Sequence, residues 1–350
     1  MSYTVRSLRA RLTTRMLRAL VLSPLVLAAS LVVGEPSASA AESFGRHLPP
    51  GAPPGAGDES LGSAVRLPQG VARALGRAAA VERAAAFGLA EGVALLGAYV
   101  RPGWSIDWRL ALEDGVSYAF VAGGDDEARD LDLSVLDEQG RTLASDDATD
   151  AAPVALFSPA HSAVHVIRLA LHDATSPSLC VLLVMRQGGH SVSAPDAAAA
   201  VAKTMTVAAR LRPRLSVQLH EEDYQWALLG AVLGPGEEAT IAGLHLEPRR
   251  HVVVAAAGPD SQDIDLLLRD RAGELLANGQ LPGPIAALQR RTEGTGHKLT
   301  IRNVVSNGPS LVTAVVLDVI EPASERVPTR APVGQGPERT LAPSPEPHRL

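Results

Sequence analysis

The chain repeats itself at a spacing of 133 residues, and that periodicity limits what it can fold into more than any other feature. Ala94-Leu95-Leu96-Gly97-Ala98 returns as Ala227-Leu228-Leu229-Gly230-Ala231. At the same offset Asp130-Leu131-Asp132-Leu133 returns as Asp263-Ile264-Asp265-Leu266. Solenoid units run to roughly 20–50 residues, so a period this long marks a duplicated domain, and each copy is expected to own a core.

Within the first copy, Trp104, Ile106, Trp108, Leu110 and Leu112 alternate with Ser105, Asp107, Arg109 and Ala111, the pattern of a half-buried strand. Glu113-Asp114-Gly115 reads as a hairpin turn, since Asp-Gly supplies the positive φ such turns need. Short apolar runs follow over 118–122, 131–136, 142–144, 154–157, 164–171 and 179–185. The second copy repeats them over 225–233, 240–246, 252–257, 264–268, 275–277, 285–288, 299–305 and 311–320. The predicted fold is mainly β: two tandem jelly-roll-like β-sandwiches, each preceded by an Ala-rich helix. Pro195-Asp196 opens the second helix and Pro213 stops it; the two helices show no clear alignment.

The leader indicates export. Arg6, Arg9, Arg11, Arg15 and Arg18 precede an apolar run from Ala19 to Val33, and Ala38-Ser39-Ala40 supplies small residues for cleavage before Ala41. No later run is long enough to span a bilayer, so the mature protein is expected in the periplasm or outside the cell. The expected divisions are a signal peptide over 1–40, a linker over 41–66, a helical segment over 67–92 and a sandwich over 93–190. A helical linker over 191–215, a second sandwich over 216–321 and a disordered Pro-rich tail over 322–350 complete the chain. The formal net charge of −6, with no basic stripe past the leader, argues against nucleic acid as the partner. Cys180 is the single cysteine, so no intrachain disulfide is possible; its apolar surroundings make it a buried hydrophobe.

Leu112-Glu113-Asp114-Gly115-Val116-Ser117-Tyr118-Ala119-Phe120, then Asp130-Leu131-Asp132-Leu133, Asp137-Glu138-Gln139-Gly140 and Ala144-Ser145-Asp146, resemble the bacterial pre-peptidase C-terminal domain family. The second copy keeps Asp263-Ile264-Asp265-Leu266 and Asp270-Arg271-Ala272-Gly273. It departs at the tyrosine, where His251 and Val252 stand, and at Gly279, which takes the place of Asp146. The resemblance covers about 93–186 and 225–320. It implies jelly-roll sandwiches on secreted proteins, often appended to a protease and in some members binding polymers, with no activity of their own.

Several residues invite chemical readings. Asp130 and Asp132 share one face of a strand, and Asp125, Asp126 and Asp146 lie in nearby loops; oxygen ligands in that number suit calcium, while carboxylates also blunt strands and hold turns. His161 and His165 have a zinc-like spacing only if helical, and they read as surface or turn histidines. His220-Glu221-Glu222-Asp223 reads as a solvated loop. Trp104 and Trp108 either form a platform for a sugar or peptide or, as tryptophans on the apolar face of an alternating strand more often do, fill the core; Glu238 and Ala242 take their places in the second copy, and of the two Trp104 is the more exposed candidate. No Gly-x-Ser-x-Gly elbow and no phosphate-binding glycine loop occurs. The expected function is therefore non-enzymatic binding of an envelope protein or polysaccharide. The alternatives are a calcium-stabilised spacer and a hydrolase with a loop-built site.

Overall fold

The computed structural model describes residues 59–220, 226–280 and 282–320. The expected signal peptide, most of the linker and the Pro-rich tail lie outside the described residues. Helix α1 (Glu59–Ala85) is followed by β1 (Phe87–Leu89), β2 (Gly92–Val100), β3 (Trp104–Leu112), β4 (Tyr118–Gly124) and β5 (Ala128–Leu136). The first copy ends with β6 (Thr142–Asp146), β7 (Val154–Phe157), β8 (Ala163–Ala174) and β9 (Ser178–Gln187). The second comprises α2 (Ala194–Ala209), β10 (Val217–Leu219), β11 (Trp226–Leu233), β12 (Glu238–Ala257), β13 (Ser261–Arg269), β14 (Leu275–Gly279), β15 (Ile285–Ser306) and β16 (Ser310–Val319). The molecule is mainly β, as its alternating pattern predicts.

The copies are not two beads with separate cores. A central sheet runs β7-β4-β9-β2 through the first copy and continues β11-β16-β12-β15 through the second, with β2 and β11 antiparallel at the seam. On one face lie the outer strands, β3-β8-β5-β6 in the first copy and the first half of β12, the second half of β15, β13 and β14 in the second. On the other face lie α1 and α2, which also touch each other. Strands β2, β9, β11 and β16 are thus covered on both faces. They read as unbroken apolar runs instead of alternating ones because both side-chain parities meet protein.

The repeated Leu-Leu-Gly motif builds the seam. Leu96 and Leu229 point into the core between the sheets, Leu95 and Leu228 into the core beneath the helices, and all four are fully buried. A Cβ on Gly97 would stand 3.0 Å from the Leu228 Cβ, and one on Gly230 would stand 2.9 Å from the Leu95 Cβ. Each glycine makes room for the other copy's leucine.

The helices belong to the repeat after all, at an offset of 130 and not 133. Arg73 of α1 donates to Gly124 O at 2.6 Å and Lys203 of α2 donates to Ala257 O at 3.1 Å, where Gly124 and Ala257 are themselves 133 apart. Leu67, Val71, Ala74 and Ala78 are buried where Ala197, Val201, Thr204 and Ala208 are in α2. Three deleted residues between helix and sandwich hide the match from a single-offset comparison. Helix α1 begins earlier than expected, running from Glu59 through Pro68. It stops earlier too, at Ala86, whose φ of 52° breaks the helix so that Phe87–Leu89 can pair with β9. Ser193 caps α2, its Oγ accepting from Asp196 N.

The Asp114-Gly115 turn is present, with Gly115 at φ 72°, but it does not make a hairpin. Strand β3 pairs only with β8 whereas β4 pairs with β7 and β9, so the turn carries the chain from one sheet to the other. In the second copy no turn intervenes. Strand β12 crosses between layers through register shifts from Ala242 to Arg249, opposite a bend in β15 at Gly294 and Gly296. Replacing Gly230 or Gly97 with valine is expected to lower unfolding stability by about 1–3 kcal/mol, the usual cost of overpacking. Urea denaturation of each variant against the parent measures it.

Candidate functional site

A buried polar cluster occupies the second sandwich at the end where β12 crosses between sheets. Strand register builds it. His220 follows β10, and its N–H bonds Val316 O at 3.0 Å, drawing the ring under the sheet. His251 of β12 lies directly opposite Asp318 of β16, on the parity that faces the core between the sheets. All three side chains are about 1 % exposed.

Within the cluster His220 Nδ1 lies 2.9 and 3.1 Å from the two Asp318 oxygens. His251 Nδ1 is 2.8 Å from Asp318 Oδ1, yet without the alignment of a hydrogen bond, while His251 Nε2 lies 3.0 Å from Glu247 O. Arg249, itself paired with Glu247, reaches Asp318 Oδ2 at 3.4 Å. Burial opposes ionisation of Asp318, but the close approach of the two imidazoles outweighs it and holds the carboxyl well below the usual range. His297, on β15, feels both desolvation and the nearby His251, and its pKa is lowered. His220 Nε2 and His297 Nδ1 have no hydrogen-bond partner. Among the described residues this is the group of three or more His, Cys, Asp or Glu side chains whose ligand atoms converge, all within 4.8 Å of one another.

The first copy carries none of it. Ala90, whose N–H bonds Val184 O, stands where His220 does; Tyr118 and Arg186, paired in register, stand where His251 and Asp318 do. There the Tyr118 hydroxyl accepts from Glu113 N at 3.1 Å, and Arg186 pairs with Glu113 at 3.5 Å. His220 is therefore no solvated loop residue, contrary to the sequence expectation; Glu221, Glu222 and Asp223 lie outside the described residues. Two signals pointed to the cluster: the loss of tyrosine at His251, and a lone carboxylate, Asp318, inside an apolar run.

The five aspartates do not meet. Asp125 is buried, its oxygens accepting from Glu127 N at 3.1 Å and Leu179 N at 2.9 Å. Asp126 pairs with Arg73 at 3.0 Å and accepts from Gln69 at 2.6 Å. Asp146 accepts from Val154 N at 2.8 Å and Ala148 N at 3.3 Å. Asp130 and Asp132 do share the outward face of β5 while Leu131 and Leu133 fill the core, and Asp132 meets His172 Nε2 at 2.9 Å. Each of Asp125, Asp126, Asp146 and Asp132 thus closes a turn, ties a loop or pairs with a neighbouring side chain. Gly279 replaces Asp146 because its backbone passes so close to the next strand that a Cβ would lie 2.5 Å from Ala287 O.

His161 is exposed, but His165 is 6 % exposed, packed edge-on against Phe157, and so is not the surface or turn residue expected. Cys180 is fully buried, and burial pushes its thiol pKa up. Trp108 is core at 1 % exposure, whereas Trp104 is 40 % exposed with the Arg101 guanidinium 5.6 Å above its ring. Trp108 lies opposite Ile167 and Ile241 lies opposite Leu299, which makes Ile241, and not Ala242, the second-copy counterpart of Trp108.

No known family profile matches the chain, and no curated protein matches it in sequence. Among solved structures, the PBSX exported protein XepA aligns over 63 % of this chain and 84 % of its own, at 10 % identity and TM-score 0.22. The tandem CBM22-1-CBM22-2 domain of Paenibacillus barcinonensis Xyn10C aligns over 67 % and 99 %, at 12 % identity and TM-score 0.19. Likeness at these scores carries no functional inference, and the fold rests on its own strand pairing. Among the described residues no helix is long and apolar enough to cross a membrane.

Removing the Asp318 carboxylate as Asp318→Ala strands two buried imidazoles and is expected to cost about 3–5 kcal/mol, read by chemical denaturation. Cys180 is expected to resist a thiol reagent in the native protein and to react fully once urea unfolds it.

Proposed function

We propose that this is an exported, non-enzymatic binding protein of the bacterial envelope, built from two fused sandwiches of the pre-peptidase C-terminal type, that takes an extended polysaccharide at the Trp104 end of the first sandwich. The observation that carries the reading is the fate of the tryptophans. The chain has three; Trp108 and Trp226 are 1 and 2 % exposed, and Trp104 alone stands at 40 %. It has the inward parity of Ile106 and Trp108 but stands outside the core they join. Arg101 lies over the ring, which orders the indole as a flat platform. A sugar ring buries much apolar area on such a surface at little entropic cost.

The arginine-rich leader supports export, and the want of a nucleophile elbow or phosphate loop supports a non-enzymatic role. A protein partner is the second reading, favoured by one specific feature: among the described residues β3 is an outer strand of its four-stranded sheet, able to accept an extended peptide as an added strand.

Cosedimentation of the full chain with insoluble cell-wall polysaccharide tests the reading. Trp104→Ala is expected to weaken binding about 10–100-fold, the value of roughly 1.5–3 kcal/mol for a buried apolar side chain. Binding that survives Trp104→Ala, or the absence of binding to any wall glycan, would transfer the case to a peptide on the β3 edge.

A further inference from the structure

We propose that His220, His251 and Asp318 bind a divalent transition-metal ion, zinc or a first-row neighbour, inside the second sandwich. The site is independent of the Trp104 surface and belongs to one copy only.

Geometry carries the argument: three buried side chains bring one ligand atom each within 4.8 Å of one another. Glu247 O can only accept, so its 3.0 Å contact with His251 Nε2 puts the proton of the neutral ring on that nitrogen. His251 Nδ1 is then a bare lone pair, and it faces the Asp318 carboxylate oxygen at 2.8 Å with both groups about 1 % exposed. Both atoms then present lone pairs at one buried point, where the Arg249 guanidinium reaches only the other carboxylate oxygen, Oδ2, at 3.4 Å. A histidine with one ring nitrogen held by a backbone carbonyl keeps its other nitrogen oriented for coordination, as metal-ligating histidines do.

The donor set and spacing suit such an ion. Metal–nitrogen and metal–oxygen bonds of about 2.0–2.2 Å put neighbouring ligand atoms roughly 2.8–3.1 Å apart at a right angle and roughly 3.3–3.6 Å apart in a tetrahedral shell. Here the His220 and His251 Nδ1 atoms lie 2.9 and 2.8 Å from Asp318 Oδ1. Two imidazoles and one carboxylate match zinc or a first-row divalent ion, not the all-oxygen shells of calcium. Three protein ligands leave a fourth position. Arg249 and Glu247 beside it pair with each other, Arg249 also reaching Asp318; Arg290 stands opposite His251 on β15, and His297 lies on the same strand.

The fold itself does not need these residues. The first copy closes the same corner with Ala90, Tyr118 and Arg186, a set whose one potential ligand, the Tyr118 hydroxyl, already accepts from Glu113 N. It also supplies conservative replacements: His220→Ala and His251→Tyr each install the residue that the same fold already accommodates.

The test is metal analysis of the full chain, stripped with chelator, loaded with Zn2+ and dialysed free of excess. The parent is expected to retain about one zinc per chain, to melt at higher temperature with zinc than without, and to develop the visible absorption of a nitrogen- and oxygen-ligated ion when Co2+ replaces zinc. His220→Ala and His251→Tyr are expected to lower affinity at least about tenfold. His161→Ala, at an exposed bend, should retain the metal. A parent that keeps no stoichiometric metal and shows no Co2+ spectrum overturns the site. Retention of zinc by folded His220→Ala and His251→Tyr overturns it equally. Where those variants do not fold, the Co2+ spectrum of the parent decides.

Discussion

The structure depends on one strand pair. Strands β2 and β11 join the two copies, and because they lie at the middle of the central sheet, everything else is placed relative to them: sheets on one side, helices on the other. The pairing is possible because glycine and leucine alternate roles across it. Gly97 yields to Leu228 and Gly230 to Leu95, so two backbones approach while four leucines fill two separate cores. The hydrophobic effect supplies the driving force, and the glycines supply the clearance that lets it act on both faces at once.

Much of this was legible in the chain. Strand positions followed from period-two alternation and from apolar runs bounded by turn residues, and the Asp-x-x-Gly turns form as the pattern implies. Gly140 takes φ 80° while Asp137 accepts from Gln139 and Arg141 N–H groups; Asp270 does the same for Gly273 and Glu274. What pattern could not disclose was long-range. An Asp-Gly turn has the same local chemistry whether it folds a hairpin or crosses between layers, and only the partners of β4 distinguish the two. The unbroken burial of β2 and β11 likewise follows from the outer strands on one face and the helices on the other.

The buried cluster escaped for a related reason. His220, His251 and Asp318 are far apart in sequence and none sits in a ligand motif. Each alone resembles an ordinary polar residue near a strand end. Their meeting is a product of register: β10 and β12 both pair with β16, and both therefore deliver a histidine to the same carboxylate. The candidate aspartates show the converse. They are close in sequence and look like a site, yet Asp125, Asp126, Asp132 and Asp146 are drawn to separate partners by the loops and strands that carry them.

The seam has a further consequence for symmetry. Leu95 meets Gly230 as Leu228 meets Gly97, which is the reciprocity of an isologous dimer interface written within one polypeptide. In a true homodimer every substitution is made twice, once in each subunit, so a corner that must hold Tyr118 and Arg186 in one half must hold them in the other. Covalent linkage lifts that constraint. One half can keep the hydroxyl and guanidinium while the other takes imidazoles and a carboxylate, and the shared interface stays unchanged. Duplication here gives the molecule two chemically different ends on a mechanically symmetric frame.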